Sequence, residues 1–369
     1  MSTWEAENPK LGGLPDRPRV VSWGAGVEQC GLVRVKARSG VLLVLPKPPP
    51  RESSLGFLFV PPYRVQGWSM AGEQTCVMVP ELDLCFDIGQ CPRAALAAKH
   101  LCISHGHMDH IGGLAYWCSQ RYFQGMGPGS IIVPAAIAKP IANMIESYRA
   151  LEEQITPFDL IPLEPEQEHE IKNNIYVRAF PLEHTVATSG YAVVEKRSKL
   201  REEYVGKTQD ELRAIKDSGK EITRILEVPL VAYLSDTAPC AALVRNDVRK
   251  AQVVIAECTF SEPDHLERSK VGRHLHLDHI IEWLGVLECE KLVLIHGSRR
   301  SNVIEARKRL RQLVKPEQAE KVEFLMDHRT NKERYERQLY EAQKAEAIRT
   351  GGRMPPPPRP PMRPRGPRV

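Results

Sequence analysis

The chain is organised around the stretch Ile103-Ser104-His105-Gly106-His107-Met108-Asp109-His110. Three imidazoles and one carboxylate fall within its last six residues. Two short apolar runs, 84–86 and 101–103, precede the first histidine, and both have the composition of β-strands. The histidines therefore lie where a predicted strand ends.

Side chains of these types at this spacing indicate a metal site. Imidazole nitrogens combined with carboxylate oxygens suit zinc, and manganese or iron would accept the same ligands. His105 and His107 are two residues apart, so both face one way on an extended strand end and can hold one ion. Asp109 and His110 follow where the chain turns and can reach a second ion. The alternative is a polar loop with unrelated histidines, but four such groups are costly to keep together without a metal.

The pattern His-x-His-x-Asp-His after a strand resembles the signature of the metallo-β-lactamase superfamily. That resemblance implies three further ligands at strand ends, namely an isolated histidine, an aspartate and a last histidine. The sequence supplies His184, Asp236 and His296 in this order, each directly after or close to a predicted strand. A single histidine after a strand is more often structural, but three ligand types in the expected order favour the metal assignment.

The fold class that the resemblance implies is α/β. We expect an αββα four-layer sandwich, in which two mixed β-sheets pack face to face with helices outside. Alternating strand and helix patterns, with every proposed ligand at a strand end, agree with this expectation.

Four segments are predicted along the chain. Residues 1–62 form an extension with a β-hairpin over 32–45, turning at Ser39-Gly40; an added edge hairpin is favoured over a partner-binding arm. Residues 63–328 form the catalytic domain, and 329–350 a charged C-terminal helix. The Pro/Arg-rich tail 351–369 cannot supply a core and is expected to be disordered.

Composition excludes several classes of protein. The 369 residues contain no run of eighteen apolar residues, and the acidic start lacks the apolar core of a signal peptide, so we expect no membrane segment and no secretion. Nine scattered cysteines suit reduced thiols and a cytoplasmic location. The net charge of +5 equals the five arginines of the tail, which has no acid. Any anionic partner must therefore be bound by a local patch or by metal ions.

One charged segment, 195–224, interrupts the alternation of strands and helices. Its first half is basic and contains Lys196, Arg197, Lys199 and Arg201. One interpretation is a solvated helix face. The other is an arm on which these four cations contact nucleic-acid phosphates.

The resemblance narrows to tRNase Z (ribonuclease Z), and within it to the short form found in plants, over roughly residues 63–326. The motifs that carry it are EQTC at 73–76, FDIGQCP at 86–92, SHGHMDHIGGL at 104–114, KLREEYVG at 199–206 and SGKEIT at 218–223. Enzymes of this family cut precursor tRNA on the 3′ side of the discriminator nucleotide. The resemblance implies precursor tRNA as substrate, two zinc ions per chain that activate water, and a homodimer.

Carried over by position, the resemblance assigns ligands to two zinc ions. The first would be held by His105, His107, His184 and Asp236. The second would be held by Asp109, His110, His296 and the shared Asp236. Asp109 would also orient or deprotonate the attacking water.

Three further residues are predicted to act beside the metal ligands. Glu257 and His274 match a pair that would donate a proton to the leaving oxygen, although His276 lies close enough in sequence to replace His274. Asp87 ends a strand and either fixes a histidine ligand or simply forms an Asp-x-Gly turn. The chain departs from the family pattern at Gly297 and Ser301, where aromatic residues are usual, and at Arg273, where glycine is usual.

Three functions follow from this sequence. The first is a zinc-dependent endoribonuclease that removes 3′ trailers from precursor tRNA, and the second is a hydrolase of the same fold acting on a small phosphodiester, sulfate ester or other ester. The third is a non-catalytic RNA-binding relative. The charged insertion 195–224 favours the first over the second, and the complete set of ligands disfavours the third.

Overall fold

Two seven-stranded mixed β-sheets form the centre of the molecule. The structure, a computed structural model, describes residues 34–36 and 42–357. A separate two-stranded sheet comes first in the chain, from β1 (Arg34–Lys36) and β2 (Leu42–Val44). The first large sheet contains β3 (Gly56–Val60), β4 (Tyr63–Met70), β5 (Gln74–Val79), β6 (Leu84–Phe86), β7 (His100–Cys102), β8 (Ser130–Pro134) and β9 (Asp159–Leu163). The second contains β10 (Glu168–Lys172), β11 (Ile175–Leu182), β12 (Thr188–Leu200), β13 (Thr223–Leu234), β14 (Val253–Glu257), β15 (Lys291–Ile295) and β16 (Val322–Phe324).

The described residues also form ten α-helices. They are α1 (Met108–Ile111), α2 (Leu114–Phe123), α3 (Ala135–Glu152), α4 (Gln209–Asp217), α5 (Asn246–Arg249), α6 (Leu266–Gly272), α7 (Leu277–Trp283), α8 (Val303–Leu313), α9 (Pro316–Ala319) and α10 (His328–Thr350). Among the described residues, no helix combines the length and the apolar character needed to span a bilayer.

Three clusters of buried apolar side chains separate four layers. The central cluster lies between the two sheets, where the rings of Phe86 and Tyr233 stack with centroids 4.5 Å apart. A second cluster joins the first sheet to α2 and α3, and it includes Trp117. The third joins the second sheet to α5, α7 and α8, and it includes Trp283. Both sheets are therefore covered on both faces, which confirms the predicted αββα sandwich.

The two large sheets share one topology. In the first, β3 to β6 pair antiparallel and β6 to β9 pair parallel. In the second, β10 to β13 pair antiparallel and β13 to β16 pair parallel. The carboxyl ends of parallel strands lie at one edge of a sheet, so the loops that leave them can share one site.

The first large sheet begins with β3, which lies before residue 63, the predicted start of the catalytic domain. β3 pairs with β4 through Val60 and Tyr63, because the apolar residues 56–60 complete the edge of the first sheet. α10 then lies against β3, where the Gln338 side chain donates to the Phe59 carbonyl at 3.1 Å. The predicted N-terminal hairpin is present as the separate sheet of β1 and β2, with its turn outside the described residues. It does not extend the edge of either large sheet in the described residues. The expected disorder of the tail stays a prediction, since residues 358–369 lie outside the described part of the chain.

The charged insertion is an arm built from the outer halves of β12 and β13. Residues 195–200 pair with 223–228 in an antiparallel ladder. Along the chain, α4 follows β12 and precedes β13, and its N-terminus is capped reciprocally by Thr208 and Glu211. The solvated-helix interpretation is therefore wrong for the basic half, which is strand up to Leu200. We call residues 195–228 the arm.

Candidate metal centre

The seven predicted ligands converge in two groups. In the first group, the donor atoms of His105, His107, His184 and Asp236 all lie within 4.8 Å of one another. In the second, the donor atoms of Asp109, His110 and His296 do the same. Asp236 also faces the second group, since its Oδ2 lies 3.5 Å from His110 Nε2. The side chain predicted to bridge two ions therefore lies between the groups.

Local backbone geometry directs the side chains of the four ligands that follow β7. His105 and His107 follow β7, and His107 is extended where it precedes α1, which begins at Met108. Asp109 and His110 consequently lie on the first turn of a helix. A turn between β4 and β5 fixes Asp109, because the Gly72 amide donates to Asp109 Oδ2 at 2.8 Å.

Outer hydrogen bonds orient four of the five histidine ligands. In each of them Nδ1 contacts an oxygen, which leaves Nε2 directed inward. These contacts are His105 to Ser104 Oγ at 2.9 Å, His110 to Asp87 Oδ2 at 2.8 Å, His184 to the Arg273 carbonyl at 3.2 Å and His296 to Thr259 Oγ1 at 2.9 Å. His107 instead directs Nδ1 inward, 3.1 Å from His105 Nε2 and 3.3 Å from His184 Nε2.

Asp87 connects the centre to both sheets. Its fully buried carboxylate accepts hydrogen bonds from Ser104 N at 2.7 Å, from Ser104 Oγ at 2.8 Å and from His110 Nδ1 at 2.8 Å. The hydroxyl of Tyr233, from the second sheet, donates at 2.6 Å. Burial alone would raise the pKa of Asp87, but the neighbouring His110 outweighs it and the pKa is lowered. Asp87 thus makes the contact predicted for a residue that fixes a histidine ligand, and it also turns the chain, with φ of 55°.

The electrostatics of the first ligand group fit a divalent cation. Burial lowers the pKa of His105 to about 3, so its imidazole is neutral and able to coordinate. For Asp236, burial raises the pKa, but nearby histidines lower it well below the usual value, so its carboxylate is charged. Asp236 Oδ1 is buried without a hydrogen-bond partner among the described residues, and His296 Nδ1, 3.3 Å away, already contacts Thr259. A buried oxygen of this kind is what a bound cation satisfies.

Glu257 and His274 form a hydrogen-bonded pair beside the ligands. His274 Nδ1 lies 3.0 Å from Glu257 Oε1, and the Thr237 amide donates to the same oxygen at 2.8 Å. Burial lowers the pKa of His274, but Glu257 outweighs it and raises the pKa to about 9. His276 is fully buried, with Nε2 2.8 Å from the Glu262 carbonyl and Nδ1 accepting from the Asp278 amide at 3.1 Å. The structure therefore brings His274 to the centre and engages His276 in capping α7.

Two contributors escaped the sequence-based prediction. The Thr259 hydroxyl donates to Glu257 Oε2 at 2.7 Å while contacting His296, so it joins a ligand to the Glu257–His274 pair. Arg273 has φ of 54°, and its guanidinium donates to the His184 carbonyl at 2.8 Å. Thr259 lies two residues after Glu257, which is a usable signal. Nothing in the sequence indicates the contact of Arg273 across 89 residues.

The four predicted substrate-binding cations lie on the arm and are not among the ligand groups. Lys196 forms an ion pair with Glu168 and lies over the ring of Tyr176, 4.4 Å from its centroid. Arg197 pairs with Glu195, and Arg201 pairs with Glu221. Lys199 is exposed. Since ion pairs at exposed positions are weak, these two arginines can exchange a carboxylate for a phosphate.

Comparison with known proteins gives the family. A family model for the beta-lactamase superfamily domain matches residues 89–297. The tRNase Z TRZ1 of Arabidopsis thaliana is 35% identical over 246 residues, which are 66% of this chain and 88% of that protein. The chloroplastic tRNase Z TRZ2 of the same plant is 35% identical over 254 residues, 68% of this chain and 72% of that protein. The crystal structure of the short form of human tRNase Z superposes with a TM-score of 0.45 at 18% identity, over 67% of this chain and 92% of that one. This chain belongs to the beta-lactamase superfamily and, within it, to the tRNase Z family.

Proposed function

We propose that this protein is a metal-dependent endoribonuclease that removes 3′ trailers from precursor tRNA by phosphodiester hydrolysis. The observation that carries this proposal is the complete donor set, in which two groups of ligands meet at one buried aspartate. Membership of the tRNase Z family supplies the substrate class.

The metal we propose is zinc, with two ions per chain, although Mn²⁺ or Fe²⁺ would suit the same ligands. The first ion would be held by His105, His107, His184 and Asp236, and the second by Asp109, His110, His296 and Asp236. When bound, such a pair lowers the pKa of water and stabilises charge on phosphate oxygens.

The protein's own side chains would orient the reactants and move protons. Asp109, held by the Gly72 amide, is placed to orient or deprotonate the attacking water. Its carboxylate is charged: burial raises its pKa, but a hydrogen bond with His296 outweighs this and lowers it. His274 is protonated at neutral pH because Glu257 raises its pKa, so it can donate a proton to the leaving oxygen.

We also propose a homodimer that acts on precursor tRNA in the cytoplasm. Exposed apolar side chains on and after α2, namely Tyr122, Phe123 and Met126, support a protein–protein interface. The eight cysteines among the described residues are free thiols, which suits a reducing compartment. Light scattering on the wild type and on Phe123→Glu should give a dimer and a monomer respectively. A wild-type monomer would contradict the dimer.

The proposed function is tested with two substrates. Purified protein should release the 3′ trailer from a precursor tRNA and should also hydrolyse bis(p-nitrophenyl) phosphate. Asp109→Ala should abolish both activities while far-ultraviolet circular dichroism shows an intact fold. Hydrolysis of the small ester alone would support a small-ester hydrolase. No activity on either substrate with zinc bound would contradict a hydrolase altogether.

A further inference from the structure

A cavity of about 180 Å³ lies under the loop that follows the ligand His296. The start of α8 contributes Val303 and Ala306 to its wall, and the end of β16 contributes Phe324. Ala306 and Phe324 are buried, so the floor of the cavity is apolar. None of these three residues takes part in the proposed mechanism.

The same wall touches the metal centre. Gly297 lines the cavity directly after His296, and its carbonyl accepts from the Ala71 amide at 3.2 Å. The next residue, Gly72, donates to Asp109 Oδ2. On the other side, the Ser69 hydroxyl lines the cavity and accepts from the His296 amide at 2.8 Å. The wall of the cavity therefore adjoins the ligands His296 and Asp109.

The mouth of the cavity is polar and cationic. Ser298, Arg299 and Ser301 line it from the loop. The Arg299 side chain is 76% exposed and pairs with Glu73 at 3.2 Å. Because an exposed ion pair contributes little, a phosphate can replace the carboxylate of Glu73 on Arg299. An apolar floor with a cationic rim matches a nucleotide, which combines an apolar base with an anionic backbone.

Two of the loop residues that line the cavity are small. Nothing lies within 4 Å of the position where Gly297 would carry a Cβ, and Ser301 has only a hydroxymethyl group. These are the two positions at which the sequence lacks the aromatic residues of the family pattern. The volume is below the about 300–1,000 Å³ typical of pockets for drug-sized ligands, so it suits one ring system and not a whole nucleotide.

We propose that this cavity binds one unpaired base of the RNA substrate, from a nucleotide adjacent to the scissile phosphate, with Arg299 on its backbone phosphate. This inference rests on the proposed endoribonuclease function. Proteins bind single-stranded RNA by extruding bases into apolar or aromatic pockets, whereas duplex regions hide them. The cavity would thereby set how strongly the enzyme prefers particular nucleotides at the cleavage site.

The test combines a filled cavity with an RNA that lacks the base. Val303→Phe places a ring in the cavity, and Ile304→Phe is the matched control, because Ile304 is 74% exposed on the same helix. The substrates are a precursor tRNA and two versions with an abasic nucleotide on the 5′ or the 3′ side of the cleavage site. Removing the bound base should lower kcat/KM of the wild type by about 5- to 150-fold, the usual range for one stacked base. Val303→Phe should lower cleavage of the intact precursor similarly, and Ile304→Phe should not.

The decisive result is the coupling between the two changes. If the cavity binds the base, Val303→Phe should add little to the loss caused by the matching abasic nucleotide. Penalties that multiply in full would overturn the inference, and so would a wild-type kcat/KM that changes less than about 5-fold with both abasic precursors. The second result needs no variant, so it holds even if Val303→Phe fails to fold. Failure of the wild type to cleave intact precursor would instead overturn the proposed function, and the base pocket with it.

Discussion

The two large sheets have the same strand order and pairing but contribute different residues to the metal centre. In both, the fourth strand is the point at which antiparallel pairing changes to parallel, and an aspartate follows it closely: Asp87 after β6 and Asp236 after β13. Hydrogen-bond donors surround Asp87, whereas Asp236 keeps a buried oxygen without a partner among the described residues. The same place in the fold therefore supports a ligand in one half and provides a ligand in the other.

The halves also differ in how they distribute the ligands. The first half places four of them in one segment after β7, which continues into the first turn of α1, whereas the second half uses three separate loops after β11, β13 and β15. The third and fourth strands are joined by a short connection with one 3-10 turn, residues 80–83, in the first sheet, whereas in the second sheet they extend into the arm. Substitutions in both halves test these differences, and they follow in order of expected effect.

Asp236→Ala should have the largest effect. It removes the carboxylate that faces both ligand groups, so both ions should be lost and phosphodiester cleavage abolished. Elemental analysis of the purified protein measures this directly. Asp83→Ala, at a half-exposed carboxylate just before β6, is the control and should keep full metal content. If Asp236→Ala kept both ions, the assignment of Asp236 as the bridging ligand would be wrong.

His274→Ala should slow turnover by about 10²–10⁴-fold, the usual contribution of general acid catalysis, with metal content unchanged. Normal turnover of this variant would transfer the role to His276 or remove it.

The pairing of His274 with Glu257 can be tested through the pH dependence of activity. Activity should decline as the pH rises through the pKa of His274, because only the protonated imidazole can donate. Glu257→Gln removes the charge that raises this pKa, so the alkaline decline of kcat should move to lower pH. A pH profile that does not move would contradict the coupling.

Asp87→Asn should cost about 10–100-fold in metal affinity or activity, as is usual for residues that orient a ligand. The loss should fall mainly on the second ion, because Asp87 contacts His110. Metal titration monitored by stepwise activity gives the two affinities separately. Equal losses of affinity for both ions, or no loss for either, would contradict the contrast between Asp87 and Asp236.

Changes on the arm should have the smallest effect. Replacing Lys196, Arg197, Lys199 and Arg201 by alanine should weaken precursor-tRNA binding and flatten its salt dependence, by about 0.7–0.9 in log–log slope for each phosphate that is no longer neutralised. Lys332→Ala, an exposed cation on α10, serves as the control outside the arm. Bis(p-nitrophenyl) phosphate is too small to reach the arm. Hydrolysis of this small ester should therefore be unchanged. Loss of both tRNA binding and ester hydrolysis would mean that the arm supports the fold. Unchanged tRNA affinity would mean that the tRNA contacts another surface.

The difference between the halves also explains what could be predicted from sequence. His105, His107, Asp109 and His110 are recognisable because four ligands lie within six residues. His184, Asp236 and His296 can be assigned only because a family pattern gives their order. The contacts of Thr259 and Arg273 could not be predicted, because they depend on how loops far apart in sequence pack. The sequence-based prediction did not include β3, because its place in the first sheet depends on its pairing with β4.

The candidate ligands come from segments that follow strands of both sheets, and this makes the metal supply a determinant of stability as well as of catalysis. A ligand that binds only the folded chain stabilises it by RT ln(1 + [L]/Kd), which is about 4 kcal/mol at a thousandfold excess over Kd. Ions bound by ligands from both sheets should therefore stabilise the packing of the two sheets against each other. In a cell that lacks this metal, the enzyme would become more prone to unfolding and proteolysis while it loses activity.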